Sequence, residues 1–196
     1  MKGVRARSWC RVDFAGGTLD IWPLGLLPAG SRTINVAVSL PVTVTVSRRS
    51  SGYLVVQGPR RNLCRTAAEL MLNPETRLVG VVVAALEAPP IEVRLDSASP
   101  RGAGLGASSA MTVALLAATS ALLGLPAPSA EVTAAVARDL EARLMSLPTG
   151  RQDHFPALLG GALEIRHEPG GERVRRLDVD LPSLGQSLVV AYTGSS

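Results

Sequence analysis

The sequence predicts an α+β domain in which a β-sheet and a layer of helices share one core. Three observations lead to this prediction. The first third of the chain is rich in Val, Ile and Thr and reads as strands. A glycine-rich stretch then opens a nearly all-apolar helical run, and short strand-like segments return near the end. Strands first, followed by helices mixed with strands, indicate an α+β or mixed α/β layer.

The strands of the first part follow from alternation and from turn residues. Residues 8–15 have strand character and run into a turn at Gly16-Gly17. Residues 33–47 contain alternating Val and Thr, which predicts a half-buried strand. Another short strand, over 52–58, lies between turn residues, so we expect it to form a hairpin with the preceding strand.

Helical spacing replaces alternation in the next segment. Residues 64–72 and 78–86 carry apolar side chains at helical intervals, until Pro89-Pro90 stops the run. Residues 91–95 then alternate apolar and charged side chains, which predicts a strand.

The second half begins with a helix over 111–123 that is apolar on every side, so we expect it to be buried at the centre. Gly124 and Pro126 end this helix, and Ser129 caps another over 130–145. The outer face of that helix is predicted to carry Arg138, Asp139, Glu141 and Arg143. The remainder is predicted to comprise a loop over 150–154, an apolar segment over 155–162, and closing strands over 163–166, 174–179 and 187–192.

Composition excludes several classes of protein. The 196 residues are 46% hydrophobic and 18% charged, which argues against a disordered chain, and their net charge is +4. That charge suits a polyanionic ligand, but no basic stripe with interleaved aromatics predicts nucleic-acid binding. Cys10 and Cys64 lack metal-ligand spacing and are expected to be free thiols. Without a signal peptide or a membrane-spanning run, we expect a soluble cytoplasmic protein.

The strongest functional signal is the stretch SPRGAGLGASSA over residues 99–110. Its three alternating glycines remove Cβ atoms where backbone amides must approach a ligand closely. The helix that follows directs its N-terminus, with free N–H groups and partial positive charge, at the same place. The stretch therefore predicts a phosphate-binding loop, in which Ser108 and Ser109 either bind Mg²⁺ or cap the helix. The predicted nucleotide contacts are Pro100, Gly102, Ala103, Gly104, Leu105, Gly106, Ala107, Ser108 and Ser109.

This loop fits neither the dinucleotide fingerprint nor the Gly-Lys-Ser/Thr ending of a P-loop. Its pattern Pro-x-Gly-x-Gly-Leu-Gly-x-Ser-Ser-Ala resembles the second signature of the GHMP kinases, named for galactokinase, homoserine kinase, mevalonate kinase and phosphomevalonate kinase. Residues 11–20, RVDFAGGTLD, are similar to the first signature of the sugar-kinase branch, and residues 150–155, GRQDHF, resemble a Gly-Lys-Gln-Asp-Gln stretch of its heptose-phosphate and fucose kinases. The resemblance implies the two-layer GHMP N-terminal domain, of the ribosomal protein S5 domain 2 type, over 1–196.

The resemblance also implies an ATP- and Mg²⁺-dependent kinase that phosphorylates a sugar or sugar phosphate. Asp153 matches the family's catalytic aspartate, and an Asp in a Gly-bounded loop is chemically apt as the base at the attacking hydroxyl. Arg11 matches a basic residue beside that aspartate, where its charge would keep Asp153 ionised. A turn-capping Asp and a surface Arg are the structural alternatives.

Substrate and metal contacts are also implied by the resemblance. Asp20 matches the aspartate that binds sugar hydroxyls, although Thr18-Leu19 replaces Gly-Thr before it and makes the pocket wall bulkier. The other predicted substrate contacts are Gly16, Gly17, Gln152 and His154. The predicted Mg²⁺ ligands are Ser108 and Glu141, the latter twelve residues before Asp153; a charged helix residue such as Glu141 could instead be solvated.

Members of the family usually continue into a second domain with a third glycine-rich signature, which nothing in this sequence matches. We therefore expect residues 188–196 to form the strand that leads from the first domain into the second. We expect the site to need a missing C-terminal domain or a partner chain, and this chain alone to show weak or no turnover. A mevalonate- or homoserine-type kinase, a non-catalytic nucleotide-binding or protein-interaction domain, and an S5-like RNA-binding module are the alternatives.

Overall fold

A mixed β-sheet forms one layer of the domain in the computed structural model, which describes residues 3–21, 23–27, 30–189 and 191. Most of its neighbouring strands are antiparallel; β3 and β5 are parallel. Within the described residues its strands are β1 Val4–Ala15, β2 Arg32–Arg48, β3 Tyr53–Gln57, β4 Arg60–Cys64, β5 Ile91–Ser97, β6 Ala162–Glu168 and β7 Gly171–Leu177.

The long strand β2 organises the sheet. One of its edges pairs with β1 along most of its length. Its other edge is divided: Arg32–Val36 pair with β6, and Val42–Arg48 pair with β5. The strand order is β4-β3-β5-β2-β6-β7, with β1 beside β2. This arrangement sets the ends of β1 and β2 beside the segment that precedes β6, where the candidate site lies.

The helices pack against this sheet around a central member, α3. Its residues 109–119 are mostly buried, as its uniformly apolar sequence predicts. Gly124, with φ +74°, ends α3 in the left-handed region, and the side chain of Ser129 accepts a hydrogen bond from the Val132 amide at the start of α4. The helices are α1 Ala67–Leu72, α2 Arg77–Ala85, α3 Ala107–Leu123, α4 Ala130–Met145, α5 His154–Leu159 and α6 Leu181–Gln186.

Small aliphatic side chains build the core between the two layers. Val42, Val44 and Val46 of β2 are fully buried against Leu115 of α3 and its neighbours. Cys10 and Cys64 are buried free cysteines, as expected from their spacing. A smaller apolar cluster around Phe155 packs α5 against β6. The predicted α+β class is confirmed, with one sheet and one set of helices sharing this core.

Several element predictions are wrong. The strand predicted over 52–58 does not pair with β2, because β5 occupies that part of the β2 edge; β3 pairs with β4 and β5 instead. Cys64 ends the unpredicted strand β4 and does not begin a helix. A short helix, α6, precedes the strand predicted over 187–192; residues 187–189 and 191 are not in a strand, and the rest lie outside the described residues.

The arginine-rich segment 173–176 belongs to β7, an edge strand of the described sheet. Arg175 there pairs with the buried carboxylate of Glu164, which also contacts Arg32 and Arg166. The arginines therefore cover one buried acid and leave the strand edge charged, which disfavours edge-to-edge pairing. Among the described residues, no helix is both long and apolar enough to cross a bilayer.

Candidate active site

The glycine-rich loop has the backbone that its sequence predicts. Gly102, Gly104 and Gly106 all lie in the left-handed region, with φ of +70°, +71° and +67°. A side chain at each of these positions would strain the backbone, which explains the alternating glycines. The partly buried Leu105 packs against the core and anchors the loop. A cavity of about 190 Å³ lies against it, lined by residues from Ser99 to Ser108.

The N-terminus of α3 opens at this cavity. The helix begins at Ala107, directly after Gly106, and its first turn carries no acidic residue. Seventeen residues of aligned peptide dipoles therefore present partial positive charge and free amides to the cavity. The hydroxyl of Ser8 on β1 donates to the carbonyl of Ala110 at 2.6 Å, which fixes this end of the helix to the sheet. The loop and helix together present the amides and positive potential that an anion site requires.

Arg11 joins the glycine loop to Asp153, although 142 residues separate the two in sequence. Its Nε donates to Oδ1 of Asp153 at 2.8 Å, and its NH1 donates to the Gly104 carbonyl at 2.5 Å. The backbone amide of Arg11 also donates to the Leu105 carbonyl at 3.0 Å. The loop passes so close that a Cβ at Gly106 would lie 2.8 Å from Cδ of Arg11. The buried guanidinium of Arg11 thus lies between the glycine loop and the carboxylate of Asp153 and contacts both.

Asp13 is the second carboxylate on this guanidinium. NH2 of Arg11 lies 2.8 Å from Oδ2 of Asp13, so the cation is shared between two acids. Our sequence analysis did not select Asp13. The available signal was its position two residues after Arg11 on β1, because alternate strand residues share a face.

Burial and several charged neighbours act on the pKa of Asp153. Burial raises the pKa of Asp153 more than the Arg11 charge lowers it, and the negative charge of Asp13 adds to the increase. The pKa of Asp13 is raised in the same way, by burial that outweighs Arg11. Arg11 favours the ionised form of Asp153, as the predicted role requires, but it does not hold the pKa of Asp153 below its ordinary value. A carboxylate with a raised pKa is a better proton acceptor.

Asp20 lies beside this pair, on the loop that follows β1. Its Oδ2 accepts a hydrogen bond from the Gln152 amide at 2.9 Å. A Cβ at Gly150 would lie 1.7 Å from the same oxygen, so only glycine permits this approach. Asp20, Gly150, Gln152 and Asp153 line a cavity of about 150 Å³. Residues from the segment 11–20 and from the segment 150–155 thus line one cavity.

Thr33 is a buried residue behind this cavity and contacts Gln152, which lines it. Its fully buried hydroxyl lies 2.9 Å from the Gly16 carbonyl, 3.0 Å from Oε1 of Gln152 and 3.0 Å from Nε2 of His167. Asn35, two residues along β2, donates to the Gln152 carbonyl at 3.1 Å. His167 is therefore a partly buried neighbour and not a surface residue. Sequence analysis missed these β2 residues because a Thr and an Asn in a strand carry no functional signal.

Of the predicted substrate contacts Gly16, Gly17 and Gln152, only Gln152 lines this cavity. Gly16 has φ +75°, and a Cβ there would lie 2.0 Å from the Arg32 carbonyl oxygen, so glycine is required. Gly17 is exposed, with open space around it. The Gln152 side chain is buried and bonded to Thr33, so it holds the cavity wall.

Glu141 does not lie on the outer face of α4, which corrects the prediction. Its side chain is 8% exposed, and its Oε2 and Oε1 accept hydrogen bonds from Ser109 at 2.9 Å and Thr112 at 2.8 Å. Nε2 of His154 lies 3.3 Å from Oε2. Burial raises the pKa of Glu141, but His154 and the two hydroxyl donors outweigh it, so the net pKa lies below its ordinary value.

The same cluster relocates two other predicted site residues. His154 is 1% exposed and faces Glu141, so its side chain is not placed to touch a substrate in the cavity. The Ser109 hydroxyl points to Glu141, which leaves Ser108 as the exposed hydroxyl in the first turn of α3.

The predicted magnesium ligands fit the ion only in part. Ser108 is exposed beside the loop cavity and offers the oxygen that Mg²⁺ prefers. Glu141 does not fit, because it is buried and both of its oxygens already accept protein hydrogen bonds. Within the described part of the chain, no group of three or more His, Cys, Asp or Glu side chains could hold a metal.

Comparison with known proteins identifies the family of this chain. The family model described as the GHMP kinases N terminal domain matches residues 62–161, just over half of the chain. The matched stretch contains the glycine loop, Glu141 and Asp153. A D-glycero-alpha-D-manno-heptose 7-phosphate kinase of Campylobacter jejuni is 28% identical over 170 residues, which cover 82% of this chain and 50% of that relative.

Solved structures share the fold. A D-glycero-D-manno-heptose 1-phosphate kinase from Bacteroides thetaiotaomicron has a TM-score of 0.76 at 22% identity, over 90% of this chain and 60% of the other. Lactococcus lactis galactokinase, solved with galactose, has a TM-score of 0.73 at 13% identity, over 90% of this chain and 48% of the other. The chain therefore spans about half the length of the curated relative it matches.

Proposed function

Because this chain belongs to the family of GHMP kinase N-terminal domains, we propose that the protein transfers the γ-phosphoryl group of ATP to a hydroxyl of a sugar or sugar phosphate. The observation that carries the proposal is the bridge made by Arg11, which contacts the glycine loop and Asp153 with one guanidinium. Phosphoryl transfer depends mainly on positioning and charge. A loop suited to phosphates and a base one guanidinium away meet that requirement.

Asp153 acts as the proton acceptor in this proposal. It takes the proton of the acceptor hydroxyl while that oxygen forms a bond to the γ-phosphorus. The bond from the γ-phosphorus to the oxygen bridging to the β-phosphate breaks, and ADP leaves with the electron pair. The raised pKa of Asp153 suits this role, because burial moves the pKa of its carboxyl group toward neutral pH.

The glycine loop and the N-terminus of α3 bind the phosphates. Backbone amides and the helix dipole supply the positive potential. Magnesium accompanies ATP and neutralises phosphate charge when bound. We retain Ser108 as its protein ligand, and we assign Glu141 to the structure of the helix layer because its carboxylate is enclosed.

Asp20 binds the acceptor. One of its oxygens is held by the Gln152 amide, which orients the carboxylate toward the cavity that it shares with Asp153. A carboxylate accepts hydrogen bonds from adjacent sugar hydroxyls. The curated relative acts, by its name, on a heptose 7-phosphate, so sugar phosphates are the first acceptors to test.

A second domain or a partner chain completes the site in this proposal. The relatives are longer than this chain, and the cavity beside Asp153 is small, at about 150 Å³. An open site admits water, which would compete with the acceptor for the phosphoryl group. We therefore expect the 196 residues by themselves to bind nucleotide but to turn over slowly or not at all.

The test is ADP release by the full-length protein with ATP, Mg²⁺ and a panel of acceptors. Sugar phosphates and free sugars should support turnover, while mevalonate and homoserine should not. Turnover with mevalonate or homoserine alone would reassign the substrate class. ATP binding without transfer to any acceptor would support a non-catalytic nucleotide-binding domain. Salt-dependent RNA binding with no response to ATP would support the RNA-binding alternative.

A further inference from the structure

Arg11 is surrounded by acids in a way that phosphate binding alone does not require. Its Nε faces Asp153, its NH1 faces the Gly104 carbonyl, and its NH2 faces Asp13. Each nitrogen of the guanidinium thus has a partner, so the plane of the group is held from three sides. The Asp13 contact is the one that neither the loop nor the predicted base explains.

We propose that Asp13 is a positioning residue: its carboxylate holds Arg11 in place against Asp153, and its negative charge keeps Asp153 a stronger base than a sole arginine partner would allow. The inference rests on the proposed function of Asp153. Chemically, a lone Arg–Asp pair stabilises the ionised acid and makes it a poor proton acceptor. A second carboxylate on the same guanidinium offsets that effect.

The position of Asp13 supports both parts of the role. Asp13 pairs with Asn35 of β2, near the C-terminal end of β1 and next to a register shift between Asp13 and Ala15, so its backbone is anchored to the sheet beside the site. Its side chain is 21% exposed and that of Arg11 is 10% exposed, so solvent screens their contact only partly. A rigid, poorly screened carboxylate is suited to orient a guanidinium.

The charges that act on Asp153 come from three segments. Arg11 and Asp13 lie on β1, Asp20 lies on the following loop, and His154 begins α5. Arg11 and His154 lower the pKa of Asp153, whereas burial, Asp13 and Asp20 raise it. Asp13 is the acid in direct contact with the cation that Asp153 also contacts, so we expect its charge to be the one most closely coupled to Asp153.

The test is the pH–rate profile of the full-length kinase with Asp13→Asn, which removes the charge and keeps the shape. The acid limb of kcat should move to lower pH by roughly one unit. The plateau rate should fall on the order of tenfold, because a weaker base remains. Asp139→Asn, an exposed acid on α4 paired with its neighbour Arg138, is the matched control and should leave the profile unchanged.

A second measurement keeps the inference testable if Asp13→Asn folds poorly. Carboxyl-carbon NMR of the unmodified 196-residue chain should show Asp13 and Asp153 titrating in two coupled steps. Independent titration of the two groups, or an acid limb that stays in place in Asp13→Asn, would overturn the inference. These outcomes differ from failure of the proposed function, which would appear as absent turnover in the unmodified protein.

Discussion

Asp153 and Glu141 are two carboxylates that sequence analysis assigned to one site, and the structure gives them opposite surroundings. Asp153 is 26% exposed, lines a cavity and shares a cation with another acid. Glu141 is 8% exposed and is enclosed by two hydroxyl donors and a histidine. The pKa of Asp153 is raised, whereas that of Glu141 is lowered. Burial acts on both, so the partners decide the direction.

The fold gives different partners to Glu141, which stabilises the helix layer, and to Asp153, the acid proposed to react. Hydroxyl donors stabilise the ionised form of Glu141 and give it a structural role between α3 and α4. Asp153 shares the Arg11 guanidinium with Asp13, so its ionised form is less well stabilised against burial. Active sites commonly contain groups whose ionisation reduces stability. The two residues should therefore respond to mutation in opposite ways.

The largest expected effect comes from Asp153→Asn. Turnover by the full-length protein should fall by about a hundredfold to ten-thousandfold, because the base is lost and the shape is kept. Stability should stay the same or rise at neutral pH, since the raised pKa makes ionisation unfavourable for folding there. ADP release and thermal melts measure the two effects.

The sign of that stability effect follows from the pKa direction. A raised folded-state pKa contributes stability that is present below the ordinary value of 3.8 and is lost as pH rises through the folded pKa. A clear loss of stability in Asp153→Asn at neutral pH would contradict the comparison. Unchanged turnover would contradict the assigned role.

A smaller effect on turnover is expected from Gly106→Ala, with Gly104→Ala as its control. Both glycines have a similar positive φ, so both variants should lose about 1–3 kcal/mol of unfolding free energy. Only the Gly106 variant places a Cβ 2.8 Å from Arg11; at Gly104 no atom lies within 4 Å of it. Displacing Arg11 should therefore reduce turnover by about a hundredfold in the Gly106 variant, a clearly larger loss than backbone strain alone causes in the Gly104 variant.

Binding of a fluorescent nucleotide and ADP release distinguish the two glycine variants. If both lose turnover equally, the loop backbone matters and the contact with Arg11 does not. That outcome would contradict the proposed functional link between Asp153 and the glycine loop through Arg11.

Glu141→Gln should reduce stability more than activity. The amide nitrogen that replaces one oxygen cannot accept a hydrogen bond from Ser109 or Thr112, so a buried donor loses its partner, at a cost of about 1–3 kcal/mol. Urea unfolding at neutral pH measures this loss. A variant as stable as the unmodified protein but unable to use Mg²⁺ would return Glu141 to the metal site.

The pH dependence of unfolding sharpens the same contrast. The lowered pKa of Glu141 contributes stability that is present above its ordinary value of 4.5 and is lost as pH falls through the folded pKa. Glu141→Gln should therefore flatten the acid side of the stability curve below about pH 4.5. An unchanged acid side would show that other carboxylates dominate there.

The smallest effect is expected from Asp139→Asn, two residues from Glu141 on the same helix. Asp139 is 66% exposed and pairs with Arg138 on the surface, so its loss should change the free energy of unfolding by less than about 0.5 kcal/mol. The contrast with Glu141→Gln isolates burial from sequence position. A cost equal to that of Glu141→Gln would remove the distinction between the two faces of α4.

Local sequence predicted the regular elements well where side-chain patterns decide them. Alternation in β2, uniform apolarity in α3 and the Ser129 cap of α4 were all confirmed. Pairing was predicted less well, because the partner of a short strand such as β3 depends on which sheet edges remain open. The predicted hairpin was wrong for this reason. The short helix α6 was also missed.

The sequence by itself determined the glycine loop, since glycine is the residue that readily adopts the left-handed conformation found at three of the five positions 102–106. It also placed the three signature segments in order along the chain. Only the tertiary structure decided which side chains meet. The contact of Arg11 with Asp153 spans 142 residues, and the partners of Glu141 come from α3 and α5. Helical periodicity describes one helix, whereas burial of a charged residue depends on the donors its neighbours supply.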